Sequence, residues 1–372
     1  MGTKTILILG GYGGTGKVLC RWLLRGTDAA IIIAGRNIKE AEKLRSELRK
    51  EFPKRRISAV FADASDYPSL VAAFKDAALV IDATTATTMV KNVAKAALEA
   101  DADYLDYHFE QKVVSELGTM AQKIKKSGRC FITQAGFHPG LPSAFVRYAA
   151  PQFDEYKQAI IGMAMNTRIE KPESIYELVD MLADYKVDIF KNGKWQQAGY
   201  SDFKRLDFGE RFGTRTCYPI QMEEMHAMPK IFSLKETGSY VAGFNWFVDY
   251  LVFPLAFAMF AIKKGLGRHM IAKLLTYGIN DFTRGKQGVS FVLEAEGTEG
   301  GKTKRVRALA EHDDAYEFTA IPIVACIRQY LDGSIAKPGL WLMGHIVDPS
   351  RLMEDMKGMG IKITAHIAFI ET

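Results

Sequence analysis

Short apolar runs alternate with longer amphipathic stretches over the first 150 residues of the chain. In the longer stretches, apolar residues recur at three- and four-residue spacing, the pattern of a helix that buries one face. Runs that are apolar throughout are typical of parallel strands, which are covered on both faces. Strands and helices in alternation predict a parallel sheet with helices on both sides. The predicted strands are 5–9, 29–34, 57–61, 78–82, 103–108 and 129–133, and the clearest helices are 17–24, 38–52 and 90–100.

A glycine-rich turn connects the first predicted strand to the first helix. Its sequence is Gly10-Gly11-Tyr12-Gly13-Gly14-Thr15-Gly16, in which the second, fourth and seventh residues fit the spacing G-x-G-x-x-G. In that motif the glycines allow a tight exit from the strand, close approach of a pyrophosphate, and close packing of the helix. The anion binds free N–H groups at the positive end of the helix. We therefore predict an α/β fold whose N-terminal Rossmann domain, a doubly wound parallel sheet, binds a dinucleotide through residues 11–16.

The end of the second strand indicates which nicotinamide cofactor binds. Sites that prefer NAD hold the ribose hydroxyls with an acidic residue about 20 positions beyond the glycines, whereas an Arg there suits the 2′-phosphate of NADP. Here the strand ends at Gly35-Arg36-Asn37, which contains no acid. We expect Arg36 and Asn37 to contact the cofactor, with NADP preferred over NAD. The alternative is that Arg36 only caps the sheet edge.

Two further strand ends supply candidate cofactor contacts. Asp63 follows the third strand, where an Asp in such folds commonly lies beside the adenine, although it can also cap the next helix. Ala83 and Thr84 begin a small polar loop after the fourth strand. Loops at the carboxyl ends of parallel strands line the ligand crevice, so we expect this loop near the nicotinamide. In the alternative interpretation, Asp82 and Thr88 serve only as helix caps.

Side chains that can exchange protons follow the fifth and sixth strands. Because strand side chains alternate, Tyr104, Asp106 and His108 would share one face. The loop 134–143 after the sixth strand contains two glycines, two prolines and His138, which predicts a rigid bend at the same edge. A catalytic site at this edge is one interpretation. In the other, Asp106 caps the following helix while Tyr104 packs beneath it.

The order of these motifs resembles the saccharopine dehydrogenase-like oxidoreductases. The resemblance rests on the glycine motif, then Tyr-x-Asp at Tyr104 and Asp106, then Gly-Phe-x-Pro-Gly at 136–140. It is clearest over 4–150 and returns at 337–341 and 348–349. It implies NAD(P) on the N-terminal domain and a substrate, often an amino-acid imine or its reduced product, against an inserted α/β domain.

The resemblance therefore implies hydride transfer between NADP(H) and a small substrate in the cleft between the domains. The substrate is left open between an imine of the opine type and a ketone, because the family frequently has Asp where this chain has His138. For the catalytic proton we choose Asp106 or His138 first and Tyr104 second, and a group that titrates near neutrality favours the His. The alternatives are an NADPH-binding sensor or scaffold, or a reductase of a lipid-like enoyl compound.

Beyond residue 150 the pattern changes to short mixed segments. Strand-like runs at 159–165 and 288–294, with helical stretches at 173–182 and 321–330, predict an α+β domain for substrate binding and dimerisation. We expect a dinucleotide-binding domain at 1–145 and an inserted domain at 146–340. A C-terminal segment at 341–372 would return to one of the two, and its strand-like run 361–370 would join one of their sheets.

Residues 241–262 are nearly all apolar and are followed by Lys263, Lys264 and Arg268. A membrane span is disfavoured, because Asp249 and Pro254 interrupt the stretch. We expect a buried core or a dimer interface. A peripheral membrane contact with the lysines at the headgroups, or the wall of an apolar pocket, is the alternative.

Composition narrows the function classes further. A formal charge of +6 on 372 residues, with basic and acidic residues interspersed, argues against nucleic-acid binding. Four widely separated cysteines and no signal-peptide pattern predict a cytoplasmic protein with reduced thiols. We expect a homodimer, a small-molecule substrate and no metal, since 223–226 and 312–314 lack ligand spacing. Tyr200-x-x-x-Lys204 matches a short-chain dehydrogenase pair but lies beyond the predicted sheet, so we interpret it as a chance match.

Overall fold

The computed structural model describes residues 4–166, 172–199, 201–283 and 285–370. The chain divides into two compact units, each built from two separate stretches of sequence. Unit 1 comprises Met1–Tyr148 and Tyr316–Ile361, and unit 2 comprises Ala149–Ala315 and Lys362–Thr372.

The first stretch of unit 1 alternates strands and helices. Its strands are β1 (Thr5–Leu9), β2 (Ala30–Gly35), β3 (Ile57–Phe61), β4 (Leu79–Asp82), β5 (Asp103–Asp106) and β6 (Cys130–Thr133), and its helices are α1 (Gly14–Gly26), α2 (Ile38–Glu51), α3 (Tyr67–Phe74), α4 (Val90–Glu99), α5 (Lys112–Gly118), α6 (Ala121–Lys126) and α7 (Leu141–Ala149), with a 3-10 turn at Thr87–Met89. A second 3-10 turn, Ala150–Gln152, lies at the start of unit 2.

Unit 2 follows with a different mixture of elements. Its strands are β7 (Glu155–Asn166), β8 (Asp188–Lys191), β9 (Lys194–Gln197), β10 (Lys204–Asp207), β11 (Thr214–Ile220), β12 (Glu236–Ala242), β13 (Gly288–Glu299) and β14 (Lys302–His312), and its helices are α8 (Pro172–Ala183), α9 (Gly209–Phe212), α10 (Met228–Phe232), α11 (Phe253–Ile262) and α12 (Arg268–Phe282), with a 3-10 turn at Glu223–Met225 and a π-helical turn at Val248–Val252.

The end of the chain returns to unit 1 and then to unit 2. The remaining elements are α13 (Ala315–Leu331), β15 (Gly339–Leu342), α14 (Met343–Ile346), α15 (Pro349–Gly358) and β16 (Lys362–Ile370).

The described strands of unit 1 form one parallel sheet in the order β15-β6-β5-β4-β1-β2-β3. Six of them have the order of a doubly wound dinucleotide-binding sheet. Strands β1 and β4 are buried along nearly their whole length, because helices cover both faces and their sequences are apolar. The predicted α/β fold is confirmed. The carboxyl ends of β1, β2, β4 and β5 lie at one edge, where the predicted site residues are found.

The sheet of unit 2 is mostly antiparallel. Its order in the described part of the chain is β10-β11-β12-β7-β13-β14-β16, and β12 with β7 is a parallel pair. The long hairpin of β13 and β14 pairs continuously from Val289 with His312 to Glu299 with Lys302. The terminal run, whose sheet the sequence left open, pairs antiparallel with β14 in this unit.

The division into units differs from the sequence-based boundaries. We expected the inserted domain to extend from 146 to 340, yet α13 and β15 belong to unit 1. The backbone of β15 pairs in parallel with β6 and extends the nucleotide-binding sheet by one strand. The expected C-terminal segment 341–372 is also divided, since β16 lies in unit 2. Four residues of strand are too short a signal for the sequence to assign to a sheet.

Candidate functional site

The glycine turn has the geometry of a dinucleotide-binding loop. A Cβ atom on Gly16 would lie 2.5 Å from the carbonyl oxygen of Gly10, and one on Gly11 would lie 3.0 Å from that of Ile8. Gly10 itself has a φ of 81°, which favours glycine. At Gly13 a Cβ would approach only the Gly10 oxygen, at 3.2 Å. Gly11 and Gly16 are therefore needed for the packing of the turn. At Gly13, by contrast, the volume that a side chain would fill is open to a ligand.

The amino end of α1 fits an anionic group. The first helical hydrogen bond at this end runs from the Lys17 N–H to the Gly13 carbonyl at 3.0 Å. The N–H groups of Gly14, Thr15 and Gly16 precede it, so the helix itself offers them no acceptor. The first turn carries no acidic residue. These donors and the positive end of the helix dipole suit the diphosphate of a dinucleotide.

Tyr316, in the first turn of α13, lies against this loop. A Cβ on Gly14 would lie 2.7 Å from the Tyr316 ring, so the ring rests on the glycine itself. The next residue, Glu317, accepts a hydrogen bond from the indole of Trp22 in α1. No sequence motif marks Tyr316, which lies about 300 residues beyond the loop in the chain.

Tyr12 contacts the end of β2, where the sequence places the adenosine ribose. A Cβ on Gly35 would lie 2.5 Å from the Tyr12 ring, and the Tyr12 hydroxyl accepts a hydrogen bond from the Asn37 N–H at 2.9 Å. The side chain of Asn37 caps α2 by accepting from the Glu40 N–H at 3.3 Å. Arg36, between them, is exposed. The guanidinium is therefore an exposed positive charge at the end of β2, which suits a phosphate.

Asp63 follows β3 and lies within the field of Arg36. Its Oδ1 accepts hydrogen bonds from the Ser65 N–H at 2.9 Å and the Ser65 hydroxyl at 2.8 Å. These bonds, with the charge of Arg36 as a smaller contribution, lower the pKa of the Asp63 carboxyl. Asp63 thus closes a local turn, while Asp66 occupies the N-cap position of α3. The structure places Asp63 at the edge expected for an adenine contact.

The loop after β4 is held against the glycine turn. The Ala83 N–H donates to the Leu9 carbonyl at 2.8 Å, and a Cβ on Gly10 would lie 2.7 Å from the Ala83 oxygen. Thr84 donates to Asp82 Oδ1 through its N–H at 3.1 Å and its hydroxyl at 2.8 Å. Ala83 and Thr84 therefore lie beside the predicted diphosphate site. This is the position expected for a loop at the point where the strand order of the sheet reverses.

A buried cluster of ionisable side chains joins the ends of β4 and β5. It consists of Asp82, Tyr104, Asp106 and His108, which we call the Asp–His cluster, and all four are at most 5% exposed. The ring nitrogen Nε2 of His108 lies 3.2 Å from Asp82 Oδ2. The Asp106 Oδ1 atom accepts from the His108 N–H at 3.2 Å. The structure thus brings together the three residues predicted to share a face and adds Asp82, which the sequence had placed as a possible cap.

Asp106 is held through one of its two carboxylate oxygens. Besides the His108 N–H, Oδ1 accepts from the Thr133 hydroxyl at 3.0 Å and the Gln134 N–H at 3.2 Å. The Oδ2 atom is buried, and within the described residues it meets the distance and angle criteria for a hydrogen bond with no donor. Burial raises the pKa of Asp106, and the positive charge of His108 opposes the rise. An acid of this kind can retain its proton at higher pH than an exposed one.

Tyr104 lies beneath Asp106 on the same face of β5. Its pKa is raised well above the usual value, first by burial and then by the carboxylates of Asp106 and Asp82. The ring packs on Phe131 with a centroid distance of 5.1 Å. Tyr104 is therefore a neutral phenol, which can donate a proton or a hydrogen bond but does not serve as a base at neutral pH.

Gln134 has an unusual backbone conformation beside this cluster. Its φ is 55°, a left-handed value that non-glycine residues rarely adopt. Hydrogen bonds hold it there, from its N–H to Asp106 and from its side-chain amide to Gln111 Oε1 at 3.1 Å. Strained residues of this kind concentrate at functional sites, and no sequence pattern indicates this one.

His138 lies in the loop after β6 and is buried. Its ring stacks on Phe137 at a centroid distance of 6.3 Å, and Phe137 in turn packs edge-on against Phe318 of α13 at 5.2 Å. Burial lowers the pKa of His138 from 6.5 to about 3. This differs from the expected titration near neutrality, so at pH 7 the imidazole is neutral and Asp106 is the better candidate for the proton donor.

Other sequence candidates are also placed by the structure. All four cysteines are buried and free. Within the described residues, no group of three or more His, Cys, Asp and Glu side chains has a metal-site arrangement. His226 instead contacts Glu223 at 3.3 Å. Tyr200 of the Tyr-x-x-x-Lys match lies outside the described residues, while Lys204 pairs with Glu236 at 2.5 Å.

Comparison with known proteins identifies the nucleotide-binding part. The sequence profile of the saccharopine dehydrogenase NADP binding domain matches residues 6–132. Over 94% of each chain, the protein is 23% identical to carboxynorspermidine synthase from Vibrio alginolyticus and 23% identical to that from Vibrio cholerae. The fold is similar to apo saccharopine dehydrogenase (L-Glu forming) from Saccharomyces cerevisiae, with a TM-score of 0.71, 15% identity, and coverage of 98% of this chain and 100% of that chain. Residues 6–132 therefore match the NADP-binding domain of the saccharopine dehydrogenase family, and the whole chain is similar in fold to a member of that family.

Proposed function

We propose that the protein uses NADPH to reduce the C=N bond of an imine formed between an amine and a carbonyl compound. Saccharopine and carboxynorspermidine, after which the relatives are named, are both secondary amines. Reduction of an imine yields a secondary amine, so the proposal follows the chemistry of those names. The observation that carries it is the proximity of Asp106, a buried acid with a raised pKa, to the dinucleotide loop at one sheet edge.

Binding of the cofactor is assigned to three parts of unit 1. The amino end of α1 holds the diphosphate, Arg36 pairs with the 2′-phosphate, and Ala83 with Thr84 lines the nicotinamide side. NADPH supplies the hydride when it is bound.

Proton transfer is assigned to Asp106. Its Oδ1 is fixed by Thr133, Gln134 and His108, so the carboxyl group keeps one orientation, and we assign the transferred proton to Oδ2. In the proposed reaction the imine carbon receives the hydride and its nitrogen receives a proton, which gives a secondary amine and NADP⁺. Tyr104 lies beneath Asp106 as a neutral phenol, and Asp82 holds His108 beside it.

The proposal is tested with purified protein, NADPH and a panel of amine–carbonyl pairs. Diamines and amino acids serve as amines, and short aldehydes and 2-oxo acids serve as carbonyl compounds. We expect NADPH consumption that requires both members of a pair, and one deuterium on the new C–H bond when NADPH deuterated at C4 is used. If NADPH is consumed with a carbonyl or enoyl compound alone, that class of compound, and not an imine, is the substrate. Tight NADPH binding without turnover of any substrate would favour a sensor.

Three further properties remain predictions: a homodimer, a cytoplasmic location and a small-molecule substrate. The homodimer is tested by light scattering of the purified chain, and a mass of one chain would contradict it.

A further inference from the structure

The surface helix of unit 2 that follows β12 is apolar on its outer side as well as its inner side. Its inner row, Val248, Val252, Ala256 and Phe260, recurs every fourth residue and is buried against α8 and α12. A helix of this kind normally exposes charged residues on the opposite side. Between 250 and 262, however, the sequence contains no charged residue.

The outer side therefore exposes large apolar side chains to solvent. We call these the apolar patch: Trp246, Tyr250, Leu251, Leu255, Phe257 and Ile262. Tyr250 is 70% exposed, Ile262 is 80% exposed and Leu251 is 52% exposed. Isolated exposed apolar residues are common, but contiguous ones on one helix mark a binding surface.

The stretch of chain that contains and follows α11 is basic. From 250 to 280 the chain contains Lys263, Lys264, Arg268 and Lys273 but neither Asp nor Glu. Lys264 pairs with Asp184 and Arg268 pairs with Asp180 of α8. In the described part of the chain, Lys263 and Lys273 form no ion pair. The stretch 250–280 thus keeps two unpaired positive charges, and one of them, Lys263, follows Ile262 of the apolar patch directly.

Aromatic residues with a polar end complete the pattern. Trp246, Tyr250 and Tyr277 are all more than half exposed. Trp and Tyr are enriched where a hydrocarbon layer meets water, because one part of the ring is apolar and the other forms hydrogen bonds. Lysines placed next to apolar side chains extend towards the headgroups of anionic lipids.

We propose that the apolar patch inserts into the surface of an anionic phospholipid bilayer, with Lys263 and Lys273 at the headgroups. The helix lies in the plane of the interface: among described helices, none is long and apolar enough to cross a membrane. A second copy of the chain is a poorer occupant. A symmetric interface must complement itself, whereas the stretch 250–280 contains basic residues and no acidic ones.

The test is flotation of the full-length, NADPH-bound protein with phospholipid vesicles. We expect binding to vesicles of phosphatidylcholine mixed with phosphatidylserine, weaker binding to pure phosphatidylcholine, and loss of binding as salt rises. The double variant Leu255→Ser/Phe257→Ser should require more than about ten times as much lipid for half binding. Lys263→Glu should weaken binding to the anionic vesicles about five-fold and leave binding to phosphatidylcholine unchanged.

Ile231→Ser is the matched control, because Ile231 is 56% exposed and lies in α10, outside the apolar patch. It should bind vesicles like the wild type. All variants alter exposed side chains, and circular dichroism confirms that each is folded. Absence of the wild type from the vesicle fraction, or equal flotation of the double variant, would overturn the proposal. A dimer in light scattering that the double variant dissociates, without flotation, would assign the patch to a second copy.

Discussion

Three candidate site residues of unit 1 lie in different electrostatic environments: Arg36, Asp106 and His138. Each lies at the carboxyl edge of the sheet or in a loop beside it, and each has a different electrostatic state. Arg36 is exposed and charged, Asp106 is buried with a raised pKa, and His138 is buried and neutral. These states, more than the residue types, decide what each can do.

Arg36→Ala tests the preference for NADPH. Loss of a charged hydrogen bond to the 2′-phosphate should weaken NADPH binding by about ten- to hundred-fold, because such bonds contribute roughly 1.5–3 kcal/mol. NADH lacks that phosphate, and its affinity should change by less than about two-fold. Calorimetric titration measures both. Lys54→Ala removes the same charge after α2, at the opposite end of the strands, and should alter neither affinity; an equal loss for both cofactors in Arg36→Ala would contradict the assignment.

Asp106→Asn tests the proton-transfer role. Asn retains an oxygen for the hydrogen bonds from Thr133, Gln134 and His108, but it cannot release a proton. We expect kcat to fall by about 10²–10⁴ while the Kd for NADPH changes by less than about three-fold. Asp101→Asn, at the amino end of β5, is the control and should leave kcat unchanged. A similar kcat for the wild type and Asp106→Asn would remove Asp106 from the reaction.

His138 makes the folded protein sensitive to acid. Burial lowers the pKa of His138 from 6.5 to about 3 in the folded chain. Between these pH values the unfolded chain therefore binds a proton that the folded chain does not bind. The free energy of unfolding should therefore fall as pH drops from 6.5 towards 3, by up to about 1.4 kcal/mol per pH unit.

Urea unfolding of the wild type and His138→Gln across this pH range measures the effect. The difference in unfolding free energy between the two proteins should shift in favour of the variant as pH falls. His366→Gln, at an exposed position in β16, should follow the wild type. Parallel pH profiles for the wild type and His138→Gln would show that His138 ionises in the folded state as it does in the unfolded one.

At the scale of elements, the glycine turn and α1 depend on close backbone packing. A Cβ on Gly16 would lie 2.5 Å from the Gly10 oxygen and 2.8 Å from the Gly11 carbonyl carbon. Gly16→Ala must therefore push α1 away from the turn. We expect it to abolish NADPH binding and to lower the melting temperature by several degrees, as roughly 1–3 kcal/mol of overpacking would.

Gly118→Ala provides the matched control in α5. No atom lies within 4 Å of the position of its Cβ, and alanine is the better helix former. This variant should bind NADPH normally and melt at the same temperature or slightly higher. If Gly16→Ala behaves like Gly118→Ala, the turn is looser than its geometry indicates.

Sequence patterns were sufficient for most elements of unit 1. Each predicted strand has a counterpart, because a buried parallel strand needs an apolar run such as Thr5–Leu9. The glycine motif placed the turn correctly between β1 and α1, since its spacing is set by backbone geometry. The same local signals located helices α2 and α8 within a few residues.

Local sequence patterns could not predict contacts between parts of the chain that are distant in sequence. Tyr316 reaches Gly14, and β15 joins β6, only through the fold. The pairing of Asp82 with His108 depends on the lateral order of β4 and β5, so the sequence offered Asp82 only as a cap. The neutral state of His138 follows from its burial, which residue type alone does not reveal.

For the whole molecule, the central claim is that the amino-terminal glycine turn seats the diphosphate of NADPH. Calorimetric titration of NADPH into the wild type and Gly13→Val tests it most directly, because a side chain at Gly13 approaches only the Gly10 oxygen and would enter the space of the phosphates. We predict binding by the wild type and none by the variant, with unchanged circular dichroism. Equal affinities for the two proteins, or no heat with the wild type, would contradict the account.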